Sequence, residues 1–569
     1  MGPVKKTPAI DDATDEERGH PVGLGANAAA GDAPTSGRTA SDARPRREKR
    51  LGLVLALAAL VFFTAGLGRI DLWAPDEPRY AAIAEELRSG RHGAPGLVLL
   101  HLNDAPYSQK PPLYFWLAAA FGLAPGRVDE VAARLPSALA GVACVLGTFW
   151  IARRLRWPAP TAWLAAALLA TSFRFAFTAR RAQLDVLLCA FELLAIALFV
   201  GLELRRGGLE EARQAPARIA ALHAALGAAA LVKGPVGWLP LLIFAAFLAW
   251  EGRLAAFRAL VPAWAFALSI GPLLLWISAA TAFAPDGFAA EAVGTNVFAR
   301  FFAGSSHARP FYYFAYQLPV DFLPWSLLLP TTALALVRAA RTQPAPRSGP
   351  LAAVIATASA RPGLRERAIA RLLVAWILVP LAFFSLSAGK RGVYLLPIFP
   401  ALALGCAYVA TRTGPAARAG TEDGGVSEEA PDRGRLRRLA GAVAAVAVLE
   451  LAGFLFVLPR LDAEKSPRPI AQSIARRTRP DEAVALFGLR PLEGAIPYYG
   501  DRAVRSIASA DEAERFLAEG GQLILMRASE LDRLGEALAL VAVERFRTGR
   551  RALVLARRRG GEAVQPSTP

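Results

Sequence analysis

The chain has 569 residues, is 54% hydrophobic, and carries a formal net charge of +18 with a mean hydropathy of +0.34. That composition excludes an ordinary soluble domain. Much of the basic excess sits beside apolar runs, at Arg44-Pro-Arg-Arg-Glu-Lys-Arg50, Arg153-Arg-Leu-Arg156 and Arg433-Gly-Arg-Leu-Arg-Arg438, which is the positive-inside pattern of a multispanning protein rather than a nucleic-acid surface.

In chain order, residues 1–50 are rich in Ala, Gly, Pro, Asp and Arg without a periodic apolar face, and read as a disordered cytoplasmic tail. Leu51–Gly68 imitates a secretory signal, but its long lead-in and the many later spans make it a retained first helix. Spans are expected at about 51–68, 134–152, 159–177, 184–203, 216–232, 236–250, 258–280, 318–338, 369–388, 393–411 and 439–459. Leu113–Leu123 is too short to cross, at roughly 10–14 apolar residues, and reads as interfacial or re-entrant. That reading keeps Arg153, Arg154 and Arg156 on the side of the basic tail, as the orientation rule prefers. The count is odd: eleven, or thirteen if a long helix is broken. The loops near Arg205, Arg253, Arg338–Arg371 and Arg412–Arg438 then face the cytoplasm. Loop 69–133, loop 281–317, the turn around Lys390 and the C-terminal region face outward.

After residue 460 the pattern changes. Ala483–Gly488, Gln522–Met526 and Arg551–Ala556 read as buried strands, with amphipathic helices at Ala510–Leu517 and Ser529–Leu534. Strand alternating with helix predicts a small α/β domain over 461–569. The fold class is therefore an all-α polytopic membrane protein of about 11–13 transmembrane helices over 51–460, followed by that α/β domain outside the cytoplasm. Cys144, Cys189 and Cys406 are far apart within apolar runs, so they read as buried small hydrophobes without disulfide or zinc spacing.

Polar constellations collect on the expected outer face. Asp76-Glu-Pro-Arg-Tyr80 opens a helix expected to lie on the membrane, with Pro78 in its first turn. The helix dipole explains one acid there, but not Asp76, Glu77, Arg79 and Tyr80 together. Tyr107-Ser-Gln-Lys110 precedes Pro111-Pro112, which fix the backbone and hold Lys110 at the interface, where it suits a phosphate. Arg181 and Asp185 sit at the start of one span, with Arg181 about one turn before Asp185 and its expected partner; Lys233-Gly-Pro235 ends another. Lys390, Arg391 and Tyr394 occupy a tight outer turn where cations defy the charge rule, which suggests a bound anion. His307, in the loop 281–317, is a weaker candidate and the one histidine considered as a metal ligand.

This combination fits one chemistry. Cations at the interface would hold the phosphate of a membrane-borne substrate, and a phosphate leaving group departs as a stable anion that fixed positive charge stabilises. Asp76 would serve a hydroxyl acceptor as general base; an acceptor that is already an anion needs none. Glu77 and Asp185 join it as catalytic candidates. Arg79, Tyr80, Tyr107, Lys110, Arg181, Lys233, Lys390, Arg391 and Tyr394 are the substrate and phosphate-binding candidates.

In order along 51–411, Asp76-Glu-Pro-Arg-Tyr80, Tyr107-x-x-Lys-Pro-Pro112, Arg134-Leu-Pro136, Arg181 with Asp185, Lys233-Gly-Pro235, Pro310-Phe-Tyr-Tyr313, Leu323-Pro-Trp325 and Ser387-Ala-Gly-Lys-Arg391 resemble the polyprenyl-phosphate-dependent membrane glycosyltransferases of the GT-C fold. The resemblance is to the 4-amino-4-deoxy-L-arabinose transferases of lipid A and, more distantly, to protein O-mannosyltransferases. It implies an undecaprenyl-phosphate-linked sugar donor, a lipid A, glycan or protein acceptor, and transfer on the periplasmic face of a bacterial inner membrane. It matches Asp76 to the family's catalytic acid motif and Lys110 to its carrier-phosphate lysine. The chain departs from the pattern at Gln109, where relatives often carry Glu; Gln is a poor zinc ligand, so a divalent metal shared with His307 is disfavoured. A polytopic lipid or sugar transporter is the reading from another class. Transporters more often show internal repeats and charges at the bilayer midplane, whereas here no repeat is visible and the charges gather at one face.

Overall fold

In hydrocarbon a backbone must satisfy its own hydrogen bonds, so each long apolar run becomes a helix. The computed structural model describes residues 39–205, 208–209, 214–299, 308–341, 362–412, 433–549 and 551–560. Most of the 1–50 tail, and His307, lie outside the described residues. The first helix, α1 (Thr39–Thr64), starts inside the segment expected to be disordered. Its Ala, Arg, Lys and Glu residues favour helix without an apolar face.

Among the described residues, six helices are long and apolar enough to cross a membrane, or up to nine if each bent pair is one span. Six include α4 (Glu130–Arg154) and α7 (Leu184–Glu203), which pack closely together. The 35-residue stretch Pro216–Trp250 holds two of the expected spans, α8 (Pro216–Lys233) and α9 (Leu239–Trp250). Between them the chain reverses. Gly234 has φ +75°, and a Cβ on Gly237 would sit 2.4 Å from the backbone of Ala229 and Ala230; in a straight helix those residues would be about 12 Å apart. If each bent pair is one span, counting that hairpin as two and α1 as another gives eleven.

Three expected straight spans are broken instead. The segment expected over 159–177 bends by 68° between α5 (Ala159–Ala170) and α6 (Phe173–Ala179). There the Thr171 hydroxyl bonds back to the Ala167 carbonyl, and the Trp325 indole N–H donates to the Thr171 carbonyl freed at the break. The segment expected over 258–280 bends by 51° between α10 (Ala263–Ser269) and α11 (Gly271–Phe283), where Pro272 leaves a backbone carbonyl without its helical donor. The segment over 318–338 turns by 114° between α12 (Tyr313–Asp321) and the helix Trp325–Arg341, at a break holding Pro324.

The span over 392–411 is 94% buried and central, whereas the one over 434–465 is 11% buried and presents Val448, Leu449, Phe456 and Val457 outward. The two short helices of loop 69–133 are α2 (Asp76–Arg88) and α3 (Leu113–Phe121). Nine residues of α3 give about 14 Å, half of a bilayer core. α2 is not a helix lying on the lipid surface: Glu77, Pro78, Tyr80, Ala81, Ala82, Ile83, Ala84 and Glu86 are all buried, because it is enclosed by α3, α4 and the C-terminal region.

That region forms a five-stranded sheet in the order β4-β3-β5-β7-β6. The strands are β3 (Val484–Phe487), β4 (Val504–Ile507), β5 (Leu523–Arg527), β6 (Leu540–Thr548) and β7 (Arg551–Arg558). β3 runs parallel to β4 and β5, while β7 is antiparallel to β5 and β6. The sequence pattern reveals β3, β5 and β7, whose residues are mostly buried. It misses the flanking β4, where exposed Arg505 and Ser506 stand between buried Val504 and Ile507, and β6, whose second half carries Glu544, Arg545 and Arg547. A two-stranded hairpin, here βa (His101–Leu102) and βb (Ala105–Pro106), lies in loop 69–133.

The sheet region packs onto α2 with little room. A Cβ on Gly494 would come within 2.2 Å of the Arg79 Cα, a backbone atom that cannot swing away. Gly494→Ala therefore has to displace α2 or the sheet, at about 1–3 kcal/mol. Thermal unfolding in detergent should show a lowered midpoint for Gly494→Ala, and none for Gly441→Ala, where a Cβ meets nothing within 4 Å.

Candidate active site

The site is built in two layers around the start of α2. The inner layer centres on Glu77, which is fully buried. Its carboxylate meets Arg134 Nε at 2.9 Å and Arg181 Nη2 at 2.8 Å, and accepts the backbone N–H groups of Trp73 at 3.0 Å and Ala182 at 2.8 Å. Arg134, also fully buried on α4, spends its remaining donors on the carbonyls of Leu67, Ile70 and Asp71 and on the second Glu77 oxygen. Burial works to raise the Glu77 pKa, but Arg134 and Arg181 overrule it and hold the carboxyl down at about 2. With both oxygens occupied, Glu77 has no face for a substrate. The catalytic role expected for it does not fit this geometry; it positions α2.

The outer layer centres on Asp76, one residue earlier and on the other side of the helix start. Arg391 Nη2 lies 2.8 Å from its Oδ2, across 315 residues of sequence. Burial pushes the Asp76 pKa up, yet the charges of Arg391, Arg79 and Lys110 leave it below the ordinary carboxylate value. Tyr80 is buried beside Tyr114 and Phe115, and burial, then Asp76, Tyr107 and Asp185, hold its hydroxyl well above the usual value. Lys233 forms an ion pair with Asp185 and lies 4.4 Å from the Tyr394 ring centroid. Burial lowers the Arg391 pKa, but Asp76 and Asp185 raise it overall. The structure thus gathers Asp76, Tyr80, Tyr107, Lys110, Asp185, Lys233, Arg391 and Tyr394 into one group.

Beside Arg391 opens a cavity of about 220 Å³ whose polar lining includes Arg174, Gln183, Arg309, Tyr313 and Lys390. Arg174 is engaged by Asp321 at 2.7 Å. Lys390 is buried and donates to the carbonyls of Arg309, at 3.1 Å, and Ser387, so it anchors its own turn as well as lining the cavity. Close to α2, three buried N–H groups have no acceptor among the described residues: Arg79 Nε, and Nε and Nη1 of Arg181.

One expected pairing changes. Arg181 bonds Glu77 rather than Asp185, whose partner is Lys233. The helical spacing assumed for them fails because Arg180–Gln183 is non-helical, and α7 begins only at Leu184. Sequence reasoning also missed the reach of Arg134 to Glu77. It missed Glu192 too, two turns beyond Asp185 on α7, which is buried with neither oxygen bonded among the described residues. An acid inside an apolar span was the available signal. A metal held through Gln109 finds no support in the donor set, since an amide is a poor zinc ligand and His307 lies outside the described residues.

Residues 51–291 match the family model of the dolichyl-phosphate-mannose-protein mannosyltransferases. The chain is 32% identical over 380 residues to an undecaprenyl phosphate-alpha-4-amino-4-deoxy-L-arabinose arabinosyl transferase 2 of Pseudomonas fluorescens, covering 65% of this chain and 58% of the relative. It is 30% identical over 459 residues to the arabinosyl transferase of Pseudomonas savastanoi pv. phaseolicola, covering 79% and 76%. The chain thus spans less than two thirds of the first of these relatives. The fold is similar to that of ArnT from Cupriavidus metallidurans bound to undecaprenyl phosphate, with TM-score 0.68 at 21% identity over 88% of this chain and 97% of that one. It is similar at TM-score 0.51 and 11% identity to the archaeal oligosaccharyltransferase AglB from Archaeoglobus fulgidus, over 86% and 70%. Fold and sequence together define a multi-pass membrane protein of the polyprenyl-phosphate-dependent GT-C glycosyltransferase class. Within that class the chain belongs to the undecaprenyl phosphate-alpha-4-amino-4-deoxy-L-arabinose arabinosyl transferase family.

Glu77→Gln leaves Arg134 and Arg181 buried against a neutral amide and should cost on the order of 3–5 kcal/mol. The Glu77 pKa is lowered from 4.5 to about 2, so its contribution to stability is present above the unfolded value and lost as pH falls toward 2. Denaturant midpoints measured between those values should slope with pH in the wild type. In Glu77→Gln the part of that slope due to this carboxyl should be missing.

Proposed function

We propose that this chain transfers a sugar from an undecaprenyl-phosphate-type lipid carrier to lipid A or another envelope acceptor, at the periplasmic face of a bacterial inner membrane. The observation that carries this reading is the cationic group around Asp76: Arg391, Arg79 and Lys110 all act on its carboxyl, next to a cavity lined by further basic side chains. The donor class is supported by the relatives' names and by the similar fold determined with undecaprenyl phosphate. The orphan N–H groups of Arg79 and Arg181 also suit an anionic ligand, since buried donors ordinarily have acceptors.

In this reading an acceptor oxygen attacks the anomeric carbon, the bond from that carbon to the carrier phosphate breaks, and the phosphate leaves with the electron pair. Lys110 and Arg391 stabilise the developing charge. Asp76, ionised and held among cations, is a weak base for a hydroxyl but a good group for orienting Arg391 and the sugar. That arrangement suits an acceptor that is already an anion, such as a lipid phosphate. The match to the mannosyltransferase model over 51–291 supports a protein acceptor as the second reading.

Purified enzyme assayed with an undecaprenyl-phosphate-linked amino-arabinose donor should lose turnover by about 10²–10³-fold in Asp76→Asn, as Arg391 loses its charged partner. Lys110→Ala should lower kcat as well as raise KM for the donor, since its charge acts on the leaving phosphate. Wild-type rates in both variants would remove the site assignment. Mass spectrometry of lipid A and envelope proteins, with and without the gene, then reads the acceptor: a mass gain on protein alone would replace lipid A with the second reading.

A further inference from the structure

We propose that Glu86, His92 and Asp104 form a binding site for a divalent metal of the zinc class, which ties the hairpin βa–βb to α2. The site is separate from Asp76 and from the position of Gln109. One ligand atom from each of the three residues lies within 4.8 Å of the others. His92 Nε2 is 3.1 Å from Glu86 Oε2 and 3.6 Å from Asp104 Oδ1. Ligands at zinc distances in a tetrahedron stand about 3.3 Å apart, so these two edges are already at the required length. One imidazole and two carboxylates leave a fourth position for water, a donor set that zinc accepts.

Hydrogen bonding alone serves this arrangement poorly. A neutral imidazole carries one N–H, and His92 Nε2 faces two carboxylates; a cation satisfies all three groups together. The surrounding structure holds the ligands in place. Glu86, nearly buried at the end of α2, accepts the N–H of Asn103 at 2.6 Å through its other oxygen. Asn103 and Asp104 both have φ near +60°, at 58° and 61°, the conformation of a two-residue hairpin turn that Asn and Asp tolerate. The His92 ring stacks on His101 of βa with centroids 3.7 Å apart and planes 17° apart, which fixes its orientation. Arg91 Nη1 lies 3.5 Å from Asp104 Oδ1. Its side chain is about half exposed and free to swing away when a metal takes its place.

The consequence is mechanical. Asn103, at the tip of the hairpin, forms a reciprocal pair with the backbone of Val504, accepting the Val504 N–H at 2.9 Å and donating to its carbonyl. Metal at Glu86 would therefore link α2, the outer-loop hairpin and the edge strand β4 into one unit.

The test uses full-length protein in detergent, without a histidine tag, stripped with EDTA and titrated with zinc chloride by calorimetry. Cobalt(II) absorption reports the coordination. One zinc per chain is expected, with tetrahedral cobalt bands and a raised thermal midpoint. His92→Ala and Asp104→Asn should each lose the stoichiometric zinc and the thermal shift, while His307→Ala keeps both. Asp104 is exposed, so Asp104→Asn tests the ligand without disturbing packing. The proposal is overturned if the wild type takes up no stoichiometric zinc, if both variants bind it unchanged, or if His307→Ala is the variant that loses it. All three readouts are independent of sugar transfer, so failure here leaves the proposed function standing, and the reverse also holds.

Discussion

The buried carboxylate of Glu77 is the constraint on which the site end of the molecule depends. A charge removed from water is tolerated only when it is fully paired and bonded, and Glu77 meets that demand with two arginines and two backbone N–H groups. Those partners come from three places: the loop before α2, the start of α4, and the non-helical turn before α7. Satisfying one carboxylate therefore fixes three segments against each other. A well-packed apolar substitute would hold them with less desolvation cost, but without setting the direction of each arginine.

The loop that delivers Asp76 shows the same accounting for its backbone. The N–H of Asp71 goes to Asp462, that of Leu72 to the Tyr499 hydroxyl, and that of Trp73 to Glu77. The carbonyls of Leu67, Ile70 and Asp71 go to Arg134. Side-chain bonds repeat the pattern, with the Trp73 indole on Asp462 and Arg468 on both Asp71 and Glu130. Irregular backbone at a membrane edge persists only when each polar group finds a partner. Here the membrane helices supply partners for the carbonyls and the C-terminal region supplies them for most of the N–H groups. The helices of the C-terminal region thus help to shape the site, even though no candidate catalytic residue lies on them.

What the sequence revealed follows from which interactions are local. Apolar runs and loop charge located the helices, because membrane thickness and the orientation rule act on contiguous segments. Tyr107–Lys110 and Asp76–Tyr80 stood out because charge and proline crowd into ten residues. Tertiary choices were less legible. Arg181 with Asp185 looked like a helical pair, and only the break at Arg180–Gln183 sends Arg181 to Glu77 and frees Asp185 for Lys233. The bends at Thr171 and Pro324 were hidden because the residues on both sides are equally apolar. β4 and β6 escaped notice for a different reason: both are edge strands, β4 having Arg505 and Ser506 between its two apolar ends and β6 passing from Leu540–Val543 into Glu544, Arg545 and Arg547.

The two acids that open α2 show how adjacent residues of one charge acquire different work. Both stand at a helix N-terminus, where the dipole favours them equally, so the dipole cannot separate them. Burial and partners do. Glu77 is sealed, with every oxygen committed to protein donors. Asp76 keeps some exposure and, among the described residues, a single direct ion pair, with Arg391, whose own side chain is 34% exposed. An ion pair that still reaches solvent can exchange partners when an anion arrives, because the charge released is rehydrated or re-paired rather than stranded in an apolar core. Turning the helix start by one residue sets one carboxylate into the frame and leaves the next at the boundary where charge can be traded.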